Sequence, residues 1–198
     1  KPLLCDVNGF PEDFDALVLL LEKFDADSIP RSGRLALVTR FGVGYDTVDV
    51  PACTAAGIAV GITPDGVRRP VAIAILTYIL ALAGKLIAKD ALVRGGPESF
   101  ARRSDHMGKG LVGRTLGVVG LGNIGAELAR ICAPLDMRLI AHDPYIDPRS
   151  ARAINVELTD LDTVFRESDF LSVSVPLSAD TRHLVNASRL NLMKSTAF

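Results

Sequence analysis

Cysteine is scarce in this 198-residue chain, which carries only Cys5, Cys53 and Cys132. They are far apart and in no metal-binding spacing, so a zinc module and a disulfide-stapled secreted scaffold are both excluded. No metal site is expected. With no signal peptide opening the chain, a reducing, cytoplasmic setting is expected. Charge of one sign is also lacking. Lys and Arg total 22 against 23 Asp and Glu, for a net charge of −1, so nothing favours a nucleic acid or an anionic membrane as partner. Long apolar runs are missing too. Val71–Gly84 holds 14 residues without a charge, short of the roughly 18 that a membrane span needs. Lys85 and Lys89 then interrupt it, so it reads as a buried helix. There is no internal repeat and no low-complexity stretch. What is present is ordinary for a globular protein: 48% hydrophobic and 23% charged residues. The chain starts at Lys1 without a methionine and stops at Phe198 inside what reads as a strand. A piece of a longer chain is the expectation.

The first half alternates strand and helix signals. Apolar runs at Ala16–Leu21, Leu35–Arg40 and Ile58–Ile62 read as strands, with a short helix at Val50–Ala56 stopped by Gly57. Thr63–Gly66 reads as a loop. A long apolar helix is predicted over Pro70–Leu92, with Pro70 in the first turn, where its missing N–H costs nothing. Gly95-Gly96-Pro97 ends it, and residues 97–113 read as a polar surface linker. The second half opens with a strand at Thr115–Val119 and a helix at Asn123–Leu135, with Ile124, Leu128, Ile131 and Leu135 at helical spacing. Strands at Arg138–His142 and Asp169–Val175 follow, with a helix around Leu161 and Val164 between them. Ser195–Phe198 begins one more strand. The alternation predicts an α/β protein with parallel sheets. Its domains are expected at 1–92, including the interdomain helix 70–92, and at 93–198.

The chemistry concentrates at Gly120-Leu-Gly-Asn-Ile-Gly125. Such a pattern alone is weak, but here a strand precedes it, a helix follows, and Asp143 ends the next strand, 18 residues after Gly125. Gly120 lets the chain turn off the strand, Gly122 lets the backbone approach a pyrophosphate, and Gly125 lets the helix pack against the sheet. The helix-start amides at Asn123 and Ile124 face the anion. Asp143 can accept both ribose hydroxyl protons and would repel a 2′-phosphate, so NAD is the expected cofactor rather than NADP. Arg149 and Arg152 lie just downstream and soften that preference. The competing reading is a tight strand–helix turn without a ligand, with Asp143 a turn residue before Pro144.

Several ordered stretches together resemble the D-isomer-specific 2-hydroxyacid dehydrogenases. They are Gly42-Val-Gly-Tyr-Asp-Thr-Val-Asp49, the Gly57–Val60 strand, Thr63-Pro64, Val71-Ala72, Gly113–Gly125, Asp143-Pro-Tyr145, Val175-Pro-Leu177 with Thr181, and Met193-Lys194. The resemblance runs from about residue 15 to the end. It implies a Rossmann nucleotide-binding domain joined to a smaller flavodoxin-like α/β domain, and an NAD-dependent enzyme acting on a small 2-hydroxy or 2-oxo acid. It also implies that the Val43 and Gly44 backbone holds the substrate carboxylate. Asn123, Ile124 and Asp143 would hold the dinucleotide, with Val175, Pro176 and Thr181 as a second cofactor segment. The family's catalytic Arg, Glu and His fall after the position matching Phe198. Ile73, Ser174, Phe100 and Asp136 stand where many members have Glu, His, Trp and Gly, which blurs the subfamily and so the substrate.

His106, His142 and His183 read as structural or solvated, since nothing beside them supplies a carboxylate to orient the ring. Arg68 or Arg69 is weighed as added charge at the acid site, against the commoner solvated arginine. Because Val71–Ala88 is apolar all round, it is expected to be buried between the halves or in a homodimer interface. The alternative function is an NAD-sensing binding protein, similar to a transcriptional corepressor on the same fold.

Overall fold

The computed structural model describes residues 13–198; Cys5 lies outside them. The chain forms two compact units. One holds the residues through Val67 together with Pro176–Arg182, and the other holds Arg68–Val175 with His183–Phe198.

In the first unit β1 (Ala16–Leu19), β2 (Leu37–Arg40) and β3 (Ala59–Ile62) form a parallel sheet in that order. Parallel neighbours need a crossover, and α1 (Val50–Ala55) supplies the one between β2 and β3. Asp49 caps α1 by accepting the Ala52 amide at 2.9 Å, and Pro51 sits in the first turn, where it has no donor to lose. Leu17, Leu19, Val38, Cys53 and Phe24 bury on one side of the sheet. This is the parallel α/β unit that the strand–helix–strand signals predict.

The second unit is built on β4 (Thr115–Val119), β5 (Arg138–His142), β6 (Glu157–Leu158) and β7 (Phe170–Val173). They are all parallel, in the order β6-β5-β4-β7. Every residue of β4 is buried, as a central strand covered on both faces must be. The Phe198 amide donates to Asp169 O and Phe198 O accepts from Leu171 N, so the last residues extend the sheet beyond β7. Counting from β4, the order is 3-2-1-4, the doubly wound arrangement of a Rossmann domain. Chain order reverses between β4 and β7, and the carboxyl ends of those two strands carry the glycine sequence and Ser174-Val175.

Several expectations are corrected. The long helix begins earlier and breaks. α2 runs Pro64–Ala83 and α3 runs Leu86–Arg94, with Lys85 between them at φ 52. Thr63–Gly66 is therefore mostly helix, Pro64 occupies the first-turn position, and Pro70 lies inside the helix, where it removes a backbone hydrogen bond. The helix is also less buried than its composition predicts. Ala72, Ile79 and Ala83 form one stripe against the core, while Val71, Ile73, Tyr78, Leu80 and Leu82 face outward. By length and composition α2 could cross a membrane, but its uncharged stretch remains the 14 residues noted above. The 97–113 linker contains α4 (Gly96–Ala101) and a 3-10 turn at Arg103–His106. The helix predicted to reach Leu135 is α5 (Asn123–Cys132), followed by a 3-10 turn at Ala133–Leu135. Elements without a strong apolar period went unread: α6 (Pro148–Arg152), β6 and α8 (Ala187–Leu190). The helix around Leu161 and Val164 is α7 (Leu161–Glu167).

Candidate nucleotide and acid sites

The Gly120 amide donates to His142 O at 2.9 Å, and the Ser174 amide donates to Val119 O at 2.8 Å, so the loop starts between the ends of β5 and β7. At φ 91 Gly120 adopts a conformation that only glycine enters cheaply, and a Cβ there would lie 2.7 Å from Ser174 O. A Cβ on Gly125 would come to 2.1 Å from Gly120 O, so this residue lets α5 start against the loop. Gly122 differs from both: a Cβ there would meet no atom within 4 Å. Packing does not require glycine at 122; it leaves a cradle open to an approaching group. Beside it the first-turn amides of α5 have no intrahelical acceptor, and no side chain caps them. Donors of this kind suit an anion, so the residues present fit the pyrophosphate of a dinucleotide.

Asp143 follows β5 and is half-buried. Its Oδ2 accepts the Leu121 amide at 2.8 Å and its Oδ1 accepts the Tyr145 amide at 2.9 Å. The carboxylate therefore braces the glycine loop, a role the sequence did not disclose. Two oxygens offer about four acceptor positions, so capacity for ribose hydroxyls remains. Arg149 is paired with Asp147 (Nη2–Oδ2 2.9 Å) and holds that carboxyl below its usual range, which ties up one of the two cations that could meet a 2′-phosphate.

Val175 and Ser174 line the loop opposite Gly120. Pro176–Arg182 belongs to the first unit, so the segment Val175, Pro176, Thr181 is divided between the two. Thr181 Oγ1 donates to Pro176 O at 2.5 Å and accepts the Ser178 amide at 2.8 Å. Its one proton is engaged within the loop, so its visible work is to fix the loop's shape.

In the first unit Gly42, at φ 139, follows β2. Its amide donates to Thr63 Oγ1 at 2.8 Å, and the Thr63 amide donates to Gly42 O at 2.8 Å. This double tie fixes the loop carrying Val43 and Gly44, whose amides donate to no acceptor among the described residues. Sequence reasoning missed Arg40. Its Nη1 donates to Phe41 O at 3.0 Å, while its buried Nε has no partner, which sets a cation behind the same loop. The only signal in the sequence was an arginine closing an apolar strand. Arg69, weighed for the acid site, is instead bonded to Glu127 at 2.7 Å.

His142 Nδ1 lies 3.1 Å from Thr159 O, and His183 occupies a left-handed turn at φ 58. Among the described residues no His, Cys, Asp and Glu cluster could hold a metal.

Comparison with known proteins agrees with this arrangement. Residues 76–198 match the D-isomer specific 2-hydroxyacid dehydrogenase NAD binding domain, and residues 8–94 match the catalytic domain of the same family. A glyoxylate reductase of Thermococcus onnurineus is 36% identical over 190 residues, covering 93% of this chain and 57% of the relative. A D-3-phosphoglycerate dehydrogenase of Synechocystis is 37% identical over 186 residues, covering 93% of this chain and 33% of the relative. Among solved structures, D-lactate dehydrogenase from Aquifex aeolicus, complexed with NAD and lactic acid, superposes with a TM-score of 0.84 at 27% identity. That match covers 95% of this chain and 57% of the other. The chain thus spans little more than half the length of the glyoxylate reductase it resembles.

Proposed function

Because the chain belongs to the D-isomer specific 2-hydroxyacid dehydrogenase family, we propose that it serves an NAD-dependent oxidoreductase. That enzyme moves a hydride between the nicotinamide and a small 2-hydroxy or 2-oxo acid. The carrying observation is the open position at Gly122, beside uncapped α5 amides, where the strand order reverses.

When bound, NAD supplies the hydride donor or acceptor. This chain's residues bind and orient. Gly120, Gly122 and Gly125 shape the loop, and the Asn123 and Ile124 amides hold the pyrophosphate. Asp143 accepts the ribose hydroxyls while bracing Leu121. Val175 and Pro176 border the cofactor, and Thr181 keeps the following loop closed. In the first unit the Val43 and Gly44 amides hold the acid's carboxylate, with Arg40 adding positive charge behind them. Proton transfer and carbonyl polarisation are assigned by family resemblance to an Arg, a Glu and a His after the position matching Phe198.

A homodimer accounts for the outward face of α2 and for Leu86, Ile87 and Val93 on α3. They are 56%, 79% and 64% exposed, more large apolar surface than a lone soluble chain ordinarily leaves open. Two free buried thiols, Cys53 and Cys132, fit a cytoplasmic setting. The test is a screen of the full-length protein with NADH against a panel of 2-oxo acids, following loss of NADH absorbance. Turnover of one or more acids is expected. NADH binding without turnover of any acid would overturn the enzymatic reading in favour of a sensor.

A further inference from the structure

At the carboxyl edge of the first sheet, where ligands of parallel sheets gather, large apolar side chains stand bare. Phe41 directly follows β2 and directly precedes Gly42 of the acid loop, and it is 60% exposed. Leu20 and Leu21 directly follow β1 and are 54% and 74% exposed. None of them belongs to a hydrophobic core among the described residues. The Phe41 amide donates to Leu19 O at 2.8 Å, and Arg40 is in register with Leu19. The ladder therefore carries on past the strand ends and brings Leu20 alongside Phe41. The turn after β1 is closed on itself, because the Leu20 and Leu21 amides both donate to Glu22 Oε2, at 2.7 and 3.0 Å. Single exposed apolar residues are ordinary. These share one edge with the proposed carboxylate site, and the backbone holds each of them there.

The charges at this edge disfavour a second anion on the substrate. Hydrogen bonds from backbone amides, its own and that of Leu20, hold the Glu22 carboxyl below its usual range, so it is ionised at neutral pH. Asp46 lies beside the acid loop, its Oδ1 3.3 Å from where a Cβ on Gly44 would stand. Lys23, next in the chain to Glu22, is paired with Asp25 at 2.7 Å. Arg40 is the cation assigned to the acid's own carboxylate. A further carboxylate or phosphate on the substrate would meet like charge, which costs affinity.

We propose that the acid bound here carries an uncharged apolar group on C2 that lies against Leu20, Leu21 and Phe41. The preferred substrates are then 2-oxo acids with a branched aliphatic or aromatic substituent, ahead of glyoxylate and of acids with a second carboxylate or a phosphate. This rests on the functional reading above and names the substrate class within it. The Val43 and Gly44 amides orient the carboxylate, and the apolar edge takes the substituent. Apolar burial is non-directional and grows with the area removed from water, so a larger substituent gains more than a smaller one.

The experiment assays the full-length protein with NADH against glyoxylate, pyruvate, 4-methyl-2-oxopentanoate, phenylpyruvate and oxaloacetate, and compares kcat/KM. The value for 4-methyl-2-oxopentanoate is expected to exceed that for glyoxylate, which has no carbon substituent, by about 10-fold or more. That is the discrimination a hydrophobic pocket gains from a single methylene. It should exceed oxaloacetate by at least as much. Leu21→Ala and Phe41→Ala should each lower the ratio of 4-methyl-2-oxopentanoate to glyoxylate by about 10-fold. Leu21→Arg supplies the missing cation, so it should raise oxaloacetate relative to 4-methyl-2-oxopentanoate, a gain that a folding defect cannot produce. A parent protein that prefers glyoxylate or oxaloacetate, or ratios unmoved by all of these substitutions, would overturn the proposal and leave the functional reading standing. A protein that binds NADH and turns over no 2-oxo acid would overturn the functional reading first, and this proposal with it.

Discussion

Alanine at Gly122 and alanine at Gly125 should have opposite effects. At Gly122, φ is −74° and a Cβ would have open space. The substitution is therefore neutral for the fold, or stabilising by about 0.4–1 kcal/mol through a less flexible unfolded chain. For a domain of this size that is a melting temperature unchanged or raised by roughly 1–4 °C. The new methyl, however, fills the cradle that the pyrophosphate needs. Losing one amide bond to a charged group costs about 1.5–3 kcal/mol, which is roughly 10- to 150-fold in the NADH dissociation constant. At Gly125 the Cβ would meet Gly120 O at 2.1 Å, a backbone atom that cannot rotate away. The helix or the loop must shift, at about 1–3 kcal/mol or more, so melting falls by roughly 2–12 °C. The assay is a thermal melt and an NADH fluorescence titration on each variant. If Gly122→Ala kept full NADH affinity, the cradle would not be where the phosphates lie. If Gly125→Ala melted like the parent, the glycine would have no packing role.

NAD(H) should bind more tightly than NADP(H), and Asp143→Ala should narrow that gap while lowering both affinities, because the carboxylate also braces Leu121; equal affinity of the unmutated protein for the two cofactors, read by titration, contradicts this. Asp169 is 8% exposed. Burial alone would raise its pKa, but the Thr115 amide, Lys194 and Arg114 outweigh burial and hold it below 3.8. Its contribution is therefore complete above the ordinary aspartate value and lost as pH falls through the depressed folded one. Asp169→Asn should lower stability at neutral pH by about 2–3 kcal/mol and flatten the acid limb of a melting-versus-pH curve; an unchanged limb refutes the assignment. Gly44→Pro removes one donor from the acid loop, so it should raise the Michaelis constant for the acid and leave NADH affinity nearly unchanged; equal losses of both would show that the acid site is not local. The full-length protein should sediment as a dimer at micromolar concentration, and a clean monomer would remove the interface assigned to α2 and α3.

The second unit was legible because its signals are local and agree with one another. Thr115–Val119 and Arg138–His142 are apolar runs bounded by glycine or aspartate, and both strands fall where those boundaries put them. The glycine spacing named the loop because its glycines differ in what they do: a Cβ on Gly120 or Gly125 would clash with backbone, while one on Gly122 would meet only open space. The break between α2 and α3 was hidden by Lys85. A lysine favours helix, and its left-handed conformation here is imposed by the surrounding chain and not by its own preference. The start at Pro64 was masked in a similar way, because two prolines competed for the first turn; Pro64 takes it and Pro70 lies inside the helix.

The site shows the same division between local and distant causes. Asp143, Gly122 and the α5 amides could be singled out for the proposed dinucleotide site because residue type and spacing suggest that chemistry. Sequence could not show that Asp143 also holds Leu121, that Thr181 turns its hydroxyl onto Pro176, or that Arg69 belongs to Glu127. Each is a choice among several acceptors that only the folded chain brings within reach. For Arg69 the competing acceptor was a substrate carboxylate, which has the same charge and hydrogen-bonding capacity as Glu127. Residue type cannot separate the two; burial can. A carboxylate that is 8% exposed has few other ways to be satisfied, whereas a diffusing acid has all of the solvent. The buried partner therefore takes the arginine, so the proposed acid site rests on the Val43 and Gly44 amides and the charge of Arg40 without it.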